Sequence, residues 1–232
     1  MKRFYSTVSA DSSELGWHLL LDGKPVRTPK RQTLVVPSGA LAEAIAFEWY
    51  GQTDTIDPKS MPLTRLANTV LDGVVPNRAA VVAEILAFCE TDLLCYRAAE
   101  PPQLVQRQSD SWNPLLDWAK HQFGAELVVT QGIVHRPQPV TAVGALRNAV
   151  TDCSVWQLAP LHMAVSITGS LVIGMALLSA QVTPEQAWAA GLLDELFQAE
   201  LWGEDAEAAA LRTARLSDLQ DAARFLSLLR SN

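Results

Sequence analysis

The side chains best suited to nucleophilic, acid–base or metal chemistry are His18, His121, His135 and His162, with Cys89, Cys95 and Cys153. No histidine has a second one a helical turn away, the spacing that brings two imidazoles to one metal ion. Cys89 and Cys95 are too far apart for a usual zinc pair, and an odd number of cysteines reads as buried or free thiols in a reducing compartment. The chain has no Gly-x-Ser-x-Gly elbow, no Walker sequence and no Gly-x-Gly-x-x-Gly loop. No catalytic residue, metal site or cofactor is therefore expected. His162, in the most apolar stretch, is expected to be a hydrogen-bonded core histidine, since a single buried imidazole needs only local partners. The alternative reading is a small-molecule enzyme with an inter-domain pocket around His162, because clefts between domains commonly hold such sites.

The acids say more. Between Arg147 and Arg212 there is no Lys or Arg, while Asp152, Glu185, Asp194, Glu195, Glu200, Glu204, Asp205 and Glu207 give that interval a formal charge of −8. The whole chain carries −7, so the acidity is local. No acid in 194–207 has a cation three or four residues later to neutralise it along a helix. Such a surface steers a basic partner. The plainer reading is that Glu204, Asp205 and Glu207 sit at a helix start, where carboxylates favour the dipole, on a solvated face. Trp202 beside Gly203 has the character of an interface anchor, or packs where two helices meet. A net negative charge argues against nucleic acid, which demands a basic face.

The elements that hold these residues read as a small β-rich start followed by helices. A length of 232 residues fits one large domain or two small ones with a real core. Trp17, Leu19 and Leu21 alternate with His18 and Leu20, Asp22-Gly23 makes a hairpin turn, and Lys24 to Thr28 returns, with Pro25 favouring an edge. Residues 34–36 form a further strand. Ser38 opens a helix with Leu41, Ile45 and Trp49 on one stripe, closed by Gly51; Trp49 is expected to be structural. In 57–73, Ser60 is expected to cap a helix, Pro62 to fill its first turn, and Gly73 to stop it. Leu63, Leu66, Ala67, Val70 and Leu71 form its apolar stripe. Further helices are expected after Asn77, from Asn113-Pro114 to Gly124, over 141–150 and 160–180, after Thr183-Pro184-Glu185-Gln186 with its capping-box spacing, and from about 205 to 229. Residues 127–129 read as a lone strand that pairs with the N-terminal sheet. The run 158–180 is long enough to span a membrane, but Pro160, His162 and its small polar residues point to a central buried helix. Ser166, Ser170 and Gly174 give that helix a line for close approach.

Blocks spread along the chain carry a family resemblance. LDGKPVRTP at 21–29, ALAEAIAFEW at 40–49, IDPKSMPLTRLANTVLDGV at 56–74, TDLLCYRA at 91–98, PLLDWA at 114–119 and TGSLVIGMAL at 168–177, then EQAWAA and WGEDAEAA, occur in order. Together they resemble the F1-ATPase assembly chaperones that act on the alpha subunit of ATP synthase. The resemblance implies an α+β protein: a small β-containing N-terminal domain (1–60) and a mainly α-helical bundle domain (61–232). It implies a chaperone, not an enzyme, that binds the unassembled alpha subunit, prevents its aggregation and hands it to the beta subunit. It places partner contact on Glu204 and Asp205, with Trp202, Asp194 and Glu195. It further implies no nucleic acid, no cofactor, no stable membrane insertion and a monomer when free. The start, MKRFYSTVSA, lacks an apolar targeting region, so a bacterial cytoplasm is expected, or the mitochondrial matrix for a eukaryotic relative.

Overall fold

The computed structural model describes residues 1–203 and 205–231, which form two compact units. Unit 1 comprises 1–78, 155–160 and 224–232; unit 2 comprises 79–154 and 161–223. The first unit thus contains the 1–60 segment and adds helical pieces drawn from later in the chain. A small sheet followed by helices makes the chain an α+β protein.

In unit 1, β1 (Val8–Ser13) and β2 (Gly16–Leu21) form an antiparallel ladder from Val8↔Leu21 to Ser13↔Gly16. β3 (Lys24–Pro25) and β4 (Val35–Val36) both pair with β2. Asp22 and Gly23 have φ of 47° and 74°, the two-residue turn whose twist suits a hairpin. The Asp22 carboxylate also accepts from Thr7 N (2.8 Å), which anchors the otherwise polar start of β1. Ser38 caps α1 (Gly39–Tyr50) and donates to the Leu228 carbonyl at 2.7 Å. Gly39 is required there, since a Cβ would lie 2.9 Å from the Trp17 ring.

The segment 57–74 departs from expectation twice. Ser60 lies in a short 3₁₀ turn, Pro58–Ser60, and its hydroxyl donates to the Asp57 carbonyl, so it does not cap α2 (Pro62–Thr69). The cap comes from α1. Buried Glu48 accepts from Leu63 N (2.7 Å), Thr64 N (2.8 Å) and Thr64 Oγ1 (2.7 Å). A carboxylate there satisfies orphan N–H groups and meets the positive end of the helix. Gly73 is no stop either. The backbone widens into a π turn, Val70–Val74, and continues as α3 (Val75–Ala87), breaking at Asn77 (φ −128°), whose Nδ2 donates to the Gly73 carbonyl. A π turn absorbs one extra residue without ending a helix. Leu63, Leu66, Ala67 and Val70 are buried as their spacing requires, and Leu71 is half-buried.

In unit 2, β5 (Tyr96–Arg97) leads into α4 (Pro102–Phe123). This helix opens at Pro102, so Pro114 lies inside it and does not begin it. Pro102 fills the first turn by the same rule that pointed to Pro114. Gly124 stops it in a left-handed conformation (φ 73°). Residues 127–129 form no strand and do not join the N-terminal sheet. Instead β6 (Thr130–Gln131) pairs in parallel with β5, and the Gln138 side chain bonds both Val128 N and Val128 O, standing in for a neighbouring strand.

After α5 (Val140–Thr151), the apolar run 158–180 divides into α6 (Val155–Thr168) and α7 (Leu171–Leu178). Gly169 turns the chain with φ of 68°, and Ser170 caps α7 through Ile173 N. The expected small-residue line is therefore split: Ser170 is a cap, Ser166 is exposed, and Gly174 alone makes the close approach, its missing Cβ leaving room for Val165. No helix among the described residues is long and apolar enough to cross a membrane. All eight residues of α7 are buried, each large one contributing about 2 kcal/mol by removal from water. α8 (Pro184–Gly191) begins with the complete Thr183/Gln186 capping box; α9 (Leu193–Trp202) and α10 (Ala206–Arg230) follow. Trp112 is fully buried in this core, its indole donating to the Ala190 carbonyl at 2.9 Å.

Candidate partner-binding site

The acidic segment lies on α9 and the turn into α10. Gly203 (φ 90°) ends α9, and Asp205 starts α10 by accepting from Ala208 N at 3.1 Å. Trp202 is 79% exposed, Leu201 58% and Leu211 53%, so apolar side chains stand open beside carboxylates at this turn. A large aromatic left in water within a polar rim is the arrangement of a binding hot spot.

The five residues expected to meet a partner divide. Trp202 is exposed, and Asp205 is exposed while serving as a cap. Asp194 accepts from Gln108 Nε2 (2.7 Å), and the same buried glutamine accepts from Ala98 N, so Asp194 ties α9 to α4. Glu195 pairs with Arg212 (2.9 Å) and Arg215 (3.8 Å), tying α9 to α10. Glu204 lies outside the described residues.

The absence of compensating charge along the helix is thus made good by other helices. Glu200 pairs with Arg107 (2.7 Å), whose guanidinium also lies over the Phe197 ring, and Glu185 accepts from Gln220. Exposed pairs of this kind contribute little stability. Their main consequence is to pair Glu195 and Glu200, so that among the described residues Asp205 and Glu207 are the exposed acids next to the α9–α10 turn without an arginine or lysine partner.

One feature that sequence reasoning missed organises unit 2. Asp92 is fully buried; Oδ1 accepts from Leu94 N and Oδ2 from Val172 N, both at 3.1 Å, so it caps α7 just as Glu48 caps α2. Burial pushes its carboxyl above the ordinary range, with bonds from Ser170 and the backbone pulling it back. Cys89 and Cys95, buried nearby, have thiols pushed up to about 12 by burial and the Asp92 charge, which makes them poor nucleophiles. Cys153 is also buried, its thiol donating to the Ala149 carbonyl.

His162 corrects a further expectation. It is not in the core: its side chain is 39% exposed and its Nε2 meets Glu84 Oε2 at 3.0 Å. Its carboxylate partner lies on α3, so the imidazole is satisfied at the surface and needs no core environment. No group of three His, Cys, Asp or Glu suited to a metal ion occurs among the described residues.

Comparison with known proteins bears on the family of the chain. Residues 2–120 match the model of a family described as ATP12 chaperone protein. A solved structure of Atp12 from Paracoccus denitrificans is 41% identical with a TM-score of 0.96, covering 99% of this chain and 98% of that one. An aspartate-to-lysine mutant of the same protein matches equally well. The mitochondrial atp12 protein of Schizosaccharomyces pombe is 23% identical over 214 residues, covering 87% of this chain and 74% of its own. With a matching family model over half its length and a near-complete structural relative, the chain belongs to the ATP12 chaperone family, the F1-ATPase assembly chaperones.

Proposed function

We propose that this protein binds the unassembled alpha subunit of F1-ATPase, shields it from aggregation and yields it to the beta subunit. The observation that carries the reading is the α9–α10 turn, where Trp202 and Leu201 stand exposed among carboxylates in a chain of this chaperone family. An unassembled subunit exposes the apolar patch that its neighbour will later cover, and that patch is an aggregation hazard. Shielding has to be reversible, which suits an aromatic anchor with charged surroundings better than an obligate interface. The bacterial cytoplasm is the proposed setting, with the mitochondrial matrix for eukaryotic relatives, and the free protein is a monomer in this reading.

The test is aggregation of purified alpha subunit with and without the protein, followed by size exclusion. Suppressed aggregation and a co-eluting complex that dissolves on adding beta subunit are expected. Trp202→Ala should keep its fold, because so exposed a side chain carries little packing, and should weaken capture by about 2 kcal/mol as a hot-spot truncation does. Asp205→Asn preserves the cap and removes the charge, so it separates electrostatic contact from folding. A well-folded protein that neither protects nor co-elutes would sink the proposal.

A further inference from the structure

Away from the α9–α10 turn, unit 2 contains an open cavity of about 350 Å³ between α4 and α8, lined by Asp110, Ser111, Pro114, Trp118, Val182 and Gln186 among others. Its size lies at the low end for ligand sites, room for one or two side chains and not for a large cofactor. Its polar side chains are those of Asp110, Ser111, Gln181 and Gln186, of which Asp110 alone is charged. Gln106 Nε2 occupies one Asp110 carboxylate oxygen at 2.8 Å, and among the described residues the second accepts nothing. Pro114 lies inside α4 and has no N–H to return to the Asp110 carbonyl. Ser111 adds a hydroxyl. Gln186 Oε1 is committed to Thr183 N in the capping box. Trp118 supplies an aromatic wall, and the Phe123 ring holds it edge-on at 5.2 Å.

Acceptor oxygens next to an indole face fit a planar cation. A guanidinium donates to the carboxylate while its plane lies on the ring, and it tolerates partial desolvation better than an ammonium. The surroundings agree in sign. Unit 2 holds seven Lys and Arg against seventeen Asp and Glu, a formal charge of −10, and no cation lines the cavity.

We propose that the α4/α8 groove is a second docking point on the chaperone and takes an arginine side chain of its protein partner. The identity of that partner as the alpha subunit rests on the function proposed above; the chemistry of the groove does not. Asp110 provides the charge and the open acceptor oxygen, and Trp118 the stacking surface.

Two measurements on the full chain test it. First, the Trp118 indole resonance is followed by NMR while titrating the peptide acetyl-Gly-Arg-Gly-amide, with the citrulline peptide as its neutral counterpart. A saturable shift with arginine, absent with citrulline and abolished by Asp110→Asn, is expected. No shift with arginine, or equal shifts with both peptides, overturns the cation site. Second, alpha-subunit affinity is compared for Asp110→Lys, Trp118→Leu and Asp117→Lys. The last makes the same charge change on α4 at an exposed residue that does not line the groove. The first two should bind about tenfold more weakly or worse, the loss expected of a charge-assisted bond, and the third should bind as wild type. Equal weakening by Asp117→Lys reduces the effect to the general field and overturns the docking point. Wild-type protein that captures no alpha subunit overturns the proposed function, while the peptide titration still decides the groove.

Discussion

Asp92 shows how one buried residue holds a distant helix in place. Its two oxygens serve Leu94 N and Val172 N, eighty positions away in the second case, so removing the carboxyl orphans buried donors on two elements. Asp92→Ala should cost about 3 kcal/mol at neutral pH, since each stranded buried donor costs about 1–3 kcal/mol, and Asp92→Asn should cost less because the amide keeps one acceptor. Urea denaturation measures both. The pH dependence has a definite sign. Burial raises this carboxyl above its ordinary 3.8, so the folded state keeps the proton to higher pH than the unfolded chain. The proton-linked part of its contribution, which adds to these hydrogen bonds, is therefore full below 3.8 and is lost as pH climbs through the raised value. Wild type should gain stability relative to Asp92→Asn on acidification; a gap that is constant or shrinks would show that the carboxyl is not raised.

At the scale of elements, the helices of unit 2 approach one another through residues that have no room to grow. A Cβ on Gly191 of α8 would lie 2.7 Å from Thr168 Cβ and 2.9 Å from Thr168 Cα, a backbone atom that cannot swing aside. Gly191→Ala should therefore destabilise by about 1–3 kcal/mol through overpacking. That outweighs the about 1 kcal/mol that alanine brings to a helix position. A thermal midpoint that rises instead would mean that α8 slides freely over Thr168. Helix ends follow a second pattern. Where the cap is local, as at Ser38, Ser170 and Thr183, the sequence marks the boundary; where a carboxylate arrives from elsewhere, as at Glu48 for α2, it does not.

For the molecule as a whole, the charge is divided between the units. Unit 1 has eleven Lys and Arg against eight Asp and Glu, a formal charge of +3, in contrast to −10 for unit 2. Such a division orients an approaching partner over a distance set by salt. If alpha-subunit capture uses unit 2, its association rate should fall several-fold between about 20 mM and about 300 mM salt, as the screening length contracts. The dissociation rate should change less, because apolar contact at Trp202 is not screened. Stopped-flow fluorescence reads both, and an association rate indifferent to salt would remove steering from the mechanism.

The sequence by itself determined whatever is decided within a few residues. The Asp22-Gly23 turn, the Ser38 cap, the Gly124 stop and the Thr183/Gln186 box all rest on φ preferences and bonds reaching three or four positions. The ordered blocks also identified the family. The tertiary structure alone decided which distant carboxylate caps which helix, which arginines neutralise Glu195 and Glu200, and that Trp202 stands exposed. The apolar run 158–180 had its break written locally at Gly169-Ser170, but a run uniformly rich in apolar residues has no amphipathic period to show where one helix yields to the next. Charges and buried donors find partners through space, and for Glu48, Asp92 and Glu200 those partners are fifteen, eighty and ninety-three positions away, beyond the reach of any local spacing rule.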